Sequence, residues 1–175
     1  ARQSSEKALT DGIQDITNTL TGDYSLNDVL QMILETIYRG LGGSRVVLGL
    51  RNKATNCIEA KYGYGDNIEQ LIHNFTIPLT YQADVFHIAF SKNVDIKIDD
   101  AEDEKIRDKI PQWYHRKIGS KFFILFPIVV KHSPLAVIYI DSNQSGSIKI
   151  SDHQLGLLKT LRNQAILAIK NLSQT

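Results

Sequence analysis

The 175-residue sequence has a single cysteine, Cys57, which excludes an internal disulfide and makes a reducing cytosol the simplest compartment for the chain. It has no apolar run close to the roughly 18 residues that a membrane-spanning helix needs. The longest such run, residues 122–130, contains Pro127. It has no excess of one charge either, since 20 basic and 19 acidic side chains leave +1. Proteins that track phosphates or anionic membranes present a basic face. The balance therefore gives nucleic acid and membranes no support, while leaving room for a local basic patch. Repeats, low-complexity tracts and a signal-peptide core are missing. The start Ala1, Arg2, Gln3, Ser4, Ser5 without Met reads as a segment of a longer protein, and removal of the Met by processing would look the same. What is present, 42% hydrophobic and 22% charged residues, is the composition of one globular domain with helical extensions.

Periodicity supplies the elements. Leu9, Ile13, Ile16 and Leu20 form one narrow helical stripe, too thin to hold a lone helix, so a partner helix is expected. Ser25 and Asp28 form a capping box, and Tyr24 with Val29 a hydrophobic staple. Leu26, Val29, Leu30, Ile33, Leu34, Ile37, Tyr38 and Leu41 continue as a core helix that Gly40, Gly42 and Gly43 stop. The period then changes to two. Residues 45–51 and 57–62 read as a hairpin, 75–79 as a third strand, and 94–98 as a short fourth. Short helices are expected at 68–72 and 84–91. Residues 99–109, with six acidic and three basic side chains, read as a solvated loop or helix. Residues 122–130 and 135–140 form a long hairpin around a compact turn at 131–134. Ser151 and Gln154 then cap a last helix carrying Leu155, Leu158, Leu161, Ala165, Ala168, Ile169 and Leu172. Hairpins at both ends argue for an antiparallel sheet rather than a doubly wound parallel one.

The order of these motifs resembles the GAF family. The resemblance lies in the helix over 26–41 followed by Gly42, Gly43 and a strand, and in the 84–90 helix leading into 91–99. It also lies in the 123–131 strand, its turn, and an apolar strand ending in Asp141. It covers about residues 26–172. The run Leu161, Arg162, Asn163, Gln164, Ala165 and the segment 111–114 are similar to GAF domains at the end of bacterial HDOD signalling proteins. PAS domains share the general shape. The resemblance implies an α+β fold, with a central antiparallel sheet of about six strands and the N- and C-terminal helices packed on one face. It implies a pocket on the other face, roofed by residues 80–118. It further implies a cytoplasmic homodimer whose terminal helices pass a signal to an output domain. Residues 1–24 would then be a dimerisation or linker helix and 25–175 the GAF domain.

The chemistries that GAF domains carry can be tested against the residues. Methionine-sulfoxide reduction uses several cysteines, and pigment attachment uses a cysteine in the roof. This chain has only Cys57, in the second strand, so an enzyme is not expected. Cyclic-nucleotide members carry an Asn-Lys pair after the last strand, then Phe and Asp-Glu. Here Ser142, Asn143, Ile148, Asp152 and His153 stand there, and only the Asp fits. The five histidines show no metal-binding spacing. Haem held by one axial His leaves no motif, so His87 and His115 stand as candidates beside the reading of both as structural imidazoles.

The roof is the remaining candidate. Trp113, Tyr114, His115 and Arg116, with Asp84 and His87 from the preceding helix and Phe123, Leu125 and Tyr139 from the strands, would line a site for a small aromatic or anionic ligand. Leu9, Ile13, Ile16, Leu20, Leu161, Ala165, Ala168 and Leu172 would form the dimer seam. Two readings stand: a regulatory domain that binds a small molecule or a partner, and a dimerisation module whose pocket Phe123, Leu125, Tyr139 and Trp113 fill. A third, an enzyme of another kind, requires a polar cluster of perturbed pKa inside the cleft.

Overall fold

The computed structural model describes residues 2–142 and 148–173. In chain order the elements are α1 (Arg2–Leu20), α2 (Leu26–Gly40), β1 (Ser44–Asn52), β2 (Cys57–Tyr64), α3 (Ile68–Asn74) and β3 (Thr76–Pro78). There follow α4 (Val85–Lys92), β4 (Ile96–Ile98), a 3-10 turn at Arg107–Lys109, α5 (Gln112–Lys117), β5 (Phe123–Val130), β6 (Ser133–Ser142) and α6 (Asp152–Ser173). They divide into two compact units, the terminal helices (residues 1–42 and 149–175) and the sheet with its short helices (residues 43–148).

Within the helical unit the sequence signals act as physics expects. The Asp28 amide donates to the Ser25 hydroxyl at 3.5 Å, and α2 buries Val29, Leu30, Ile33, Leu34 and Ile37. At the start of α6 the box is reciprocal: the Gln154 amide donates to Ser151 Oγ (3.1 Å) and the Ser151 amide to Gln154 Oε1 (2.9 Å). The thin stripe of α1 finds its partners inside the chain. Gly12 abuts Thr36 of α2, and Gly40 leaves room for Leu9. Gln164 Nε2 ties α6 to α1 by donating to the Ile13 carbonyl (3.0 Å) and Thr17 Oγ1 (2.9 Å). Of the residues expected at a dimer seam, Leu9, Ile16, Leu161, Ala165 and Ala168 are fully buried in one chain. Ile13 and Leu20 are half-buried, and the Leu172 side chain lies outside the described residues. An apolar stripe is satisfied by a complementary helix, and here α2, joined to α1 by a short loop, and α6, from the far end of the chain, reach it.

The second unit is a six-stranded, fully antiparallel sheet of order β3-β2-β1-β6-β5-β4. Register sets the faces. Tyr139 lies opposite Val47 on one side and Leu125 on the other, so these side chains share a face with Phe123 and Val137. The turn between β5 and β6 is tighter than residues 131–134. Val130 pairs with Ser133, and Lys131 and His132 alone make the turn, at φ 52° and 64°. Residues 112–117, to which the pattern assigned no element, form α5; their three consecutive bulky side chains obscure any period. Residues 99–109 are turns ending in the 3-10 turn.

Candidate functional site

The roof segments lie on the face of the sheet that carries Tyr139. Aromatic rings fill the space between them. Phe86 of α4 stacks on Phe123 with a 6° interplanar angle, and Trp113 lies 5.1 Å from Phe86. Tyr114 lies 4.6 Å from Phe123, and Phe75 lies 4.9 Å from Tyr139. Such pairs at 4.5–7 Å contribute packing as well as burial. Tyr114, Phe123, Leu125 and Tyr139, expected to line a pocket, are all completely buried. They are the core beneath the roof, because strand alternation sends Phe123, Leu125 and Tyr139 inward and α5 drops Tyr114 onto them.

Within that core lies a polar cluster that the sequence reading did not assemble. Register places Arg45 directly opposite Asp141. The guanidinium grips the carboxylate with both arms, Nε to Oδ1 at 2.8 Å and Nη2 to Oδ2 at 2.7 Å. Ser120 Oγ and the Tyr139 hydroxyl also donate to Oδ2, at 2.8 and 2.5 Å. The Tyr114 hydroxyl donates to the Ser120 carbonyl at 2.9 Å and sits 3.0 Å from the Tyr139 oxygen. The Tyr139 hydroxyl hydrogen is engaged with Asp141, so the single Tyr114 hydroxyl hydrogen faces two acceptors, the Ser120 carbonyl and the Tyr139 oxygen.

Burial pushes both phenols upward in pKa. For Tyr139 the neighbouring Tyr114 and the Asp141 carboxylate add to it, while for Tyr114 the hydrogen bond with Tyr139 works against it. Burial opposes the charge of Arg45, but the hydrogen bond and charge of Asp141 outweigh it and raise the pKa. The cluster has the composition of a reactive site and the position of a core: Asp141, Tyr139 and Tyr114 expose nothing to solvent.

Two open grooves flank α4. The first, of about 410 Å³, runs between the residues before α4 and those leading into α5; Asp84, Trp113 and His115 line it together with Arg107 and Gln112. The Asp84 carboxylate also caps α4 by accepting from the His87 amide at 2.9 Å. The second groove, of about 560 Å³, lies between α4 and the β5–β6 turn and has His87 on its wall. The nine expected pocket residues are thus divided. Three meet in one groove, His87 lies in the other, four are core, and Arg116 is exposed and lines neither.

Residues 25–169 match the family model of the GAF domain. The chain belongs to the GAF family.

Solved structures agree on the fold. The GAF domain of an Acinetobacter phosphoenolpyruvate-protein phosphotransferase is 15% identical with a TM-score of 0.70, covering 97% of this chain and 94% of that one. Residues 122 to 287 of a methyl-accepting chemotaxis protein are 22% identical at TM-score 0.70, covering 94% and 99%. Reduced fRMsr of Staphylococcus aureus is 14% identical at TM-score 0.66, covering 92% and 94%. No curated protein matches the chain. GAF domains are sensory and regulatory modules of signalling proteins.

In this GAF domain Cys57 is half-buried, with Sγ 3.4 Å from the Thr55 carbonyl. Among the described residues no three His, Cys, Asp or Glu side chains gather as metal ligands. Each haem candidate has a local partner: His115 Nε2 lies 3.0 Å from the Arg107 carbonyl, and Tyr81 packs edge-on against the His87 ring at 4.7 Å. No helix among the described residues is long and apolar enough to cross a membrane.

Proposed function

We propose that this GAF domain is a regulatory module that senses a small molecule in the groove bordered by Asp84, Trp113 and His115. The carrying observation is that three residues singled out for ligand contact, from two separate segments, line one open groove while the space beneath the roof is packed. The groove joins an apolar wall of Ile77, Ile110 and Trp113 to the carboxylates of Asp84 and Asp108 and the guanidinium of Arg107. That suits a compact amphipathic or zwitterionic molecule. Residues 25–175 would be the sensory domain and 1–24 its helical lead-in. Binding would shift the helices toward an output domain, in line with the resemblance of 161–165 to HDOD-linked members.

Trp113 is the only tryptophan, so its emission reports this groove directly. Native mass spectrometry of the protein purified from extract, followed by emission titrations against a metabolite panel, tests the reading. A retained small mass and a saturable Trp113 response, lost when Ala83→Leu narrows the groove, support it. The reading is overturned by no retained mass, no emission change and no thermal shift across the panel.

A second reading, a dimerisation module without ligand, is favoured by the filled aromatic core. In the chain as it stands, its interface would include exposed apolar positions such as Leu167, which is 52% exposed. Leu167→Asp should then lower the association state in sedimentation; an unchanged monomer–dimer balance removes that surface from consideration.

A further inference from the structure

The second groove carries an inference that goes beyond this reading and does not depend on it. Its floor is apolar, formed by Leu79, Phe90, Val129 and Pro134. Its ionisable lining is of one kind: Lys92, Lys131, His87 and His132, with no carboxylate among the described lining residues. In a chain whose 20 basic and 19 acidic groups nearly cancel, this is a local separation of charge. The C-terminal end of α4 also faces the groove and brings a partial negative charge of about half a unit. Lys92, in the last turn of α4, offsets that end. Lys131 is then surplus, with two imidazoles adding to it when protonated.

The turn supplies a second, independent observation. A two-residue hairpin turn with both central φ values positive selects Asn-Gly or Asp-Gly, because other side chains crowd the backbone in the left-handed region. This turn instead holds Lys131 at φ 52° and His132 at φ 64°. Lys131 in particular is poorly suited to this backbone, and both side chains reach the groove. An unfavourable conformation held in place points to a use for the side chains.

We propose that this groove is a ligand site for a small amphipathic anion, a carboxylate carried on an apolar or aromatic body. The apolar part would lie on Leu79, Phe90 and Val129, and the carboxylate would meet Lys131 and His132. A volume of about 560 Å³ accommodates such a molecule.

The probes are octanoate, octylamine and octan-1-ol, titrated calorimetrically into the intact protein at low and moderate salt. Octanoate should bind, octylamine should not, and octanol should bind more weakly than octanoate. The variant K131N/H132G replaces the two side chains with the residues the turn prefers. It should melt at or above the parent temperature, yet bind octanoate about ten-fold more weakly, as loss of a charge-assisted contact predicts. K131Q, which keeps the turn sequence otherwise intact, should weaken binding in the same direction. Ala83→Leu, in the first groove, should leave octanoate binding unchanged. The proposal is overturned if octanoate fails to bind, if octylamine binds equally well, or if both turn variants keep parental affinity.

Discussion

Replacing Asp141 by Asn is the most direct test of how the interior is held. The change preserves shape and removes only the charge and half of the accepting capacity. Four donor contacts converge on the carboxylate: Nε and Nη2 of Arg45, Ser120 Oγ and the Tyr139 hydroxyl. A carboxamide offers one accepting oxygen, so its NH2 must face donors whichever way it turns. The Arg45 guanidinium stays positive in a place where its side chain is only 11% exposed. Breaking a buried pair from one side typically costs about 3–5 kcal/mol, because the remaining charge is uncompensated. Tyr139→Phe removes one hydrogen bond to a charged group and should cost about 1.5–3 kcal/mol. The expected order is therefore Asp141→Asn well below Tyr139→Phe, and both below the parent. Urea titration followed by circular dichroism measures this, with the midpoint falling and the slope unchanged. A loss under about 1 kcal/mol for Asp141→Asn would refute the claim that this pair is desolvated and uncompensated without its partner.

Three further outcomes follow from the packing and the titration of the core. Tyr114 and Tyr139 have folded pKa values above the ordinary 10, so their contribution to stability is complete below about pH 10 and declines as pH rises beyond it. The decline approaches about 1.4 kcal/mol per pH unit per tyrosine, and urea midpoints between pH 9 and about 11 should fall less steeply in Tyr114→Phe than in the parent. Gly12→Ala would put a Cβ 2.2 Å from Thr36 Cγ2. Overpacking of about 1–3 kcal/mol should exceed the helix-propensity gain of about 1 kcal/mol, and a double-mutant cycle with Thr36→Ala should show positive coupling. Ser151→Ala breaks the reciprocal cap of α6 and should cost about 1 kcal/mol in a thermal melt.

Much of the fold was legible because its signals are local. The caps at Ser25 and Ser151 depend on residues three positions apart, and the strands of the two hairpins on short apolar runs bounded by turn residues, with period-two alternation in residues 57–62. The order of those elements was enough to point to the GAF family. α5 was not legible, since Trp113, Tyr114 and His115 in succession show no period over six residues. The site was legible in part. Asp84, Trp113 and His115 do meet around a groove, but the reading could not separate them from Tyr114, Phe123, Leu125 and Tyr139, which share their aromatic or apolar character. Exposure depends on what packs above a residue, and a one-dimensional pattern does not carry that. Arg45 and Asp141 were both in view, one opening a strand and one closing another, and nothing local joined them across 96 positions.

By itself, then, the sequence determined every element but α5 and the 3-10 turn, their order, the antiparallel class of the sheet and the family, because hydrogen bonding and side-chain patterning within a few residues govern these. Tertiary structure decided which copies of the same chemistry are buried and which are open. Strand register brought Arg45 onto Asp141, aromatic volume closed the space beneath the roof, and the chain's own helices took up the stripe expected to meet a second copy. It also brought Lys131 and His132 to a groove through a turn whose backbone Lys131 does not favour. These outcomes rest on contacts between residues far apart in the chain, and their energies exist only once the sheet has set its register and the helices have docked.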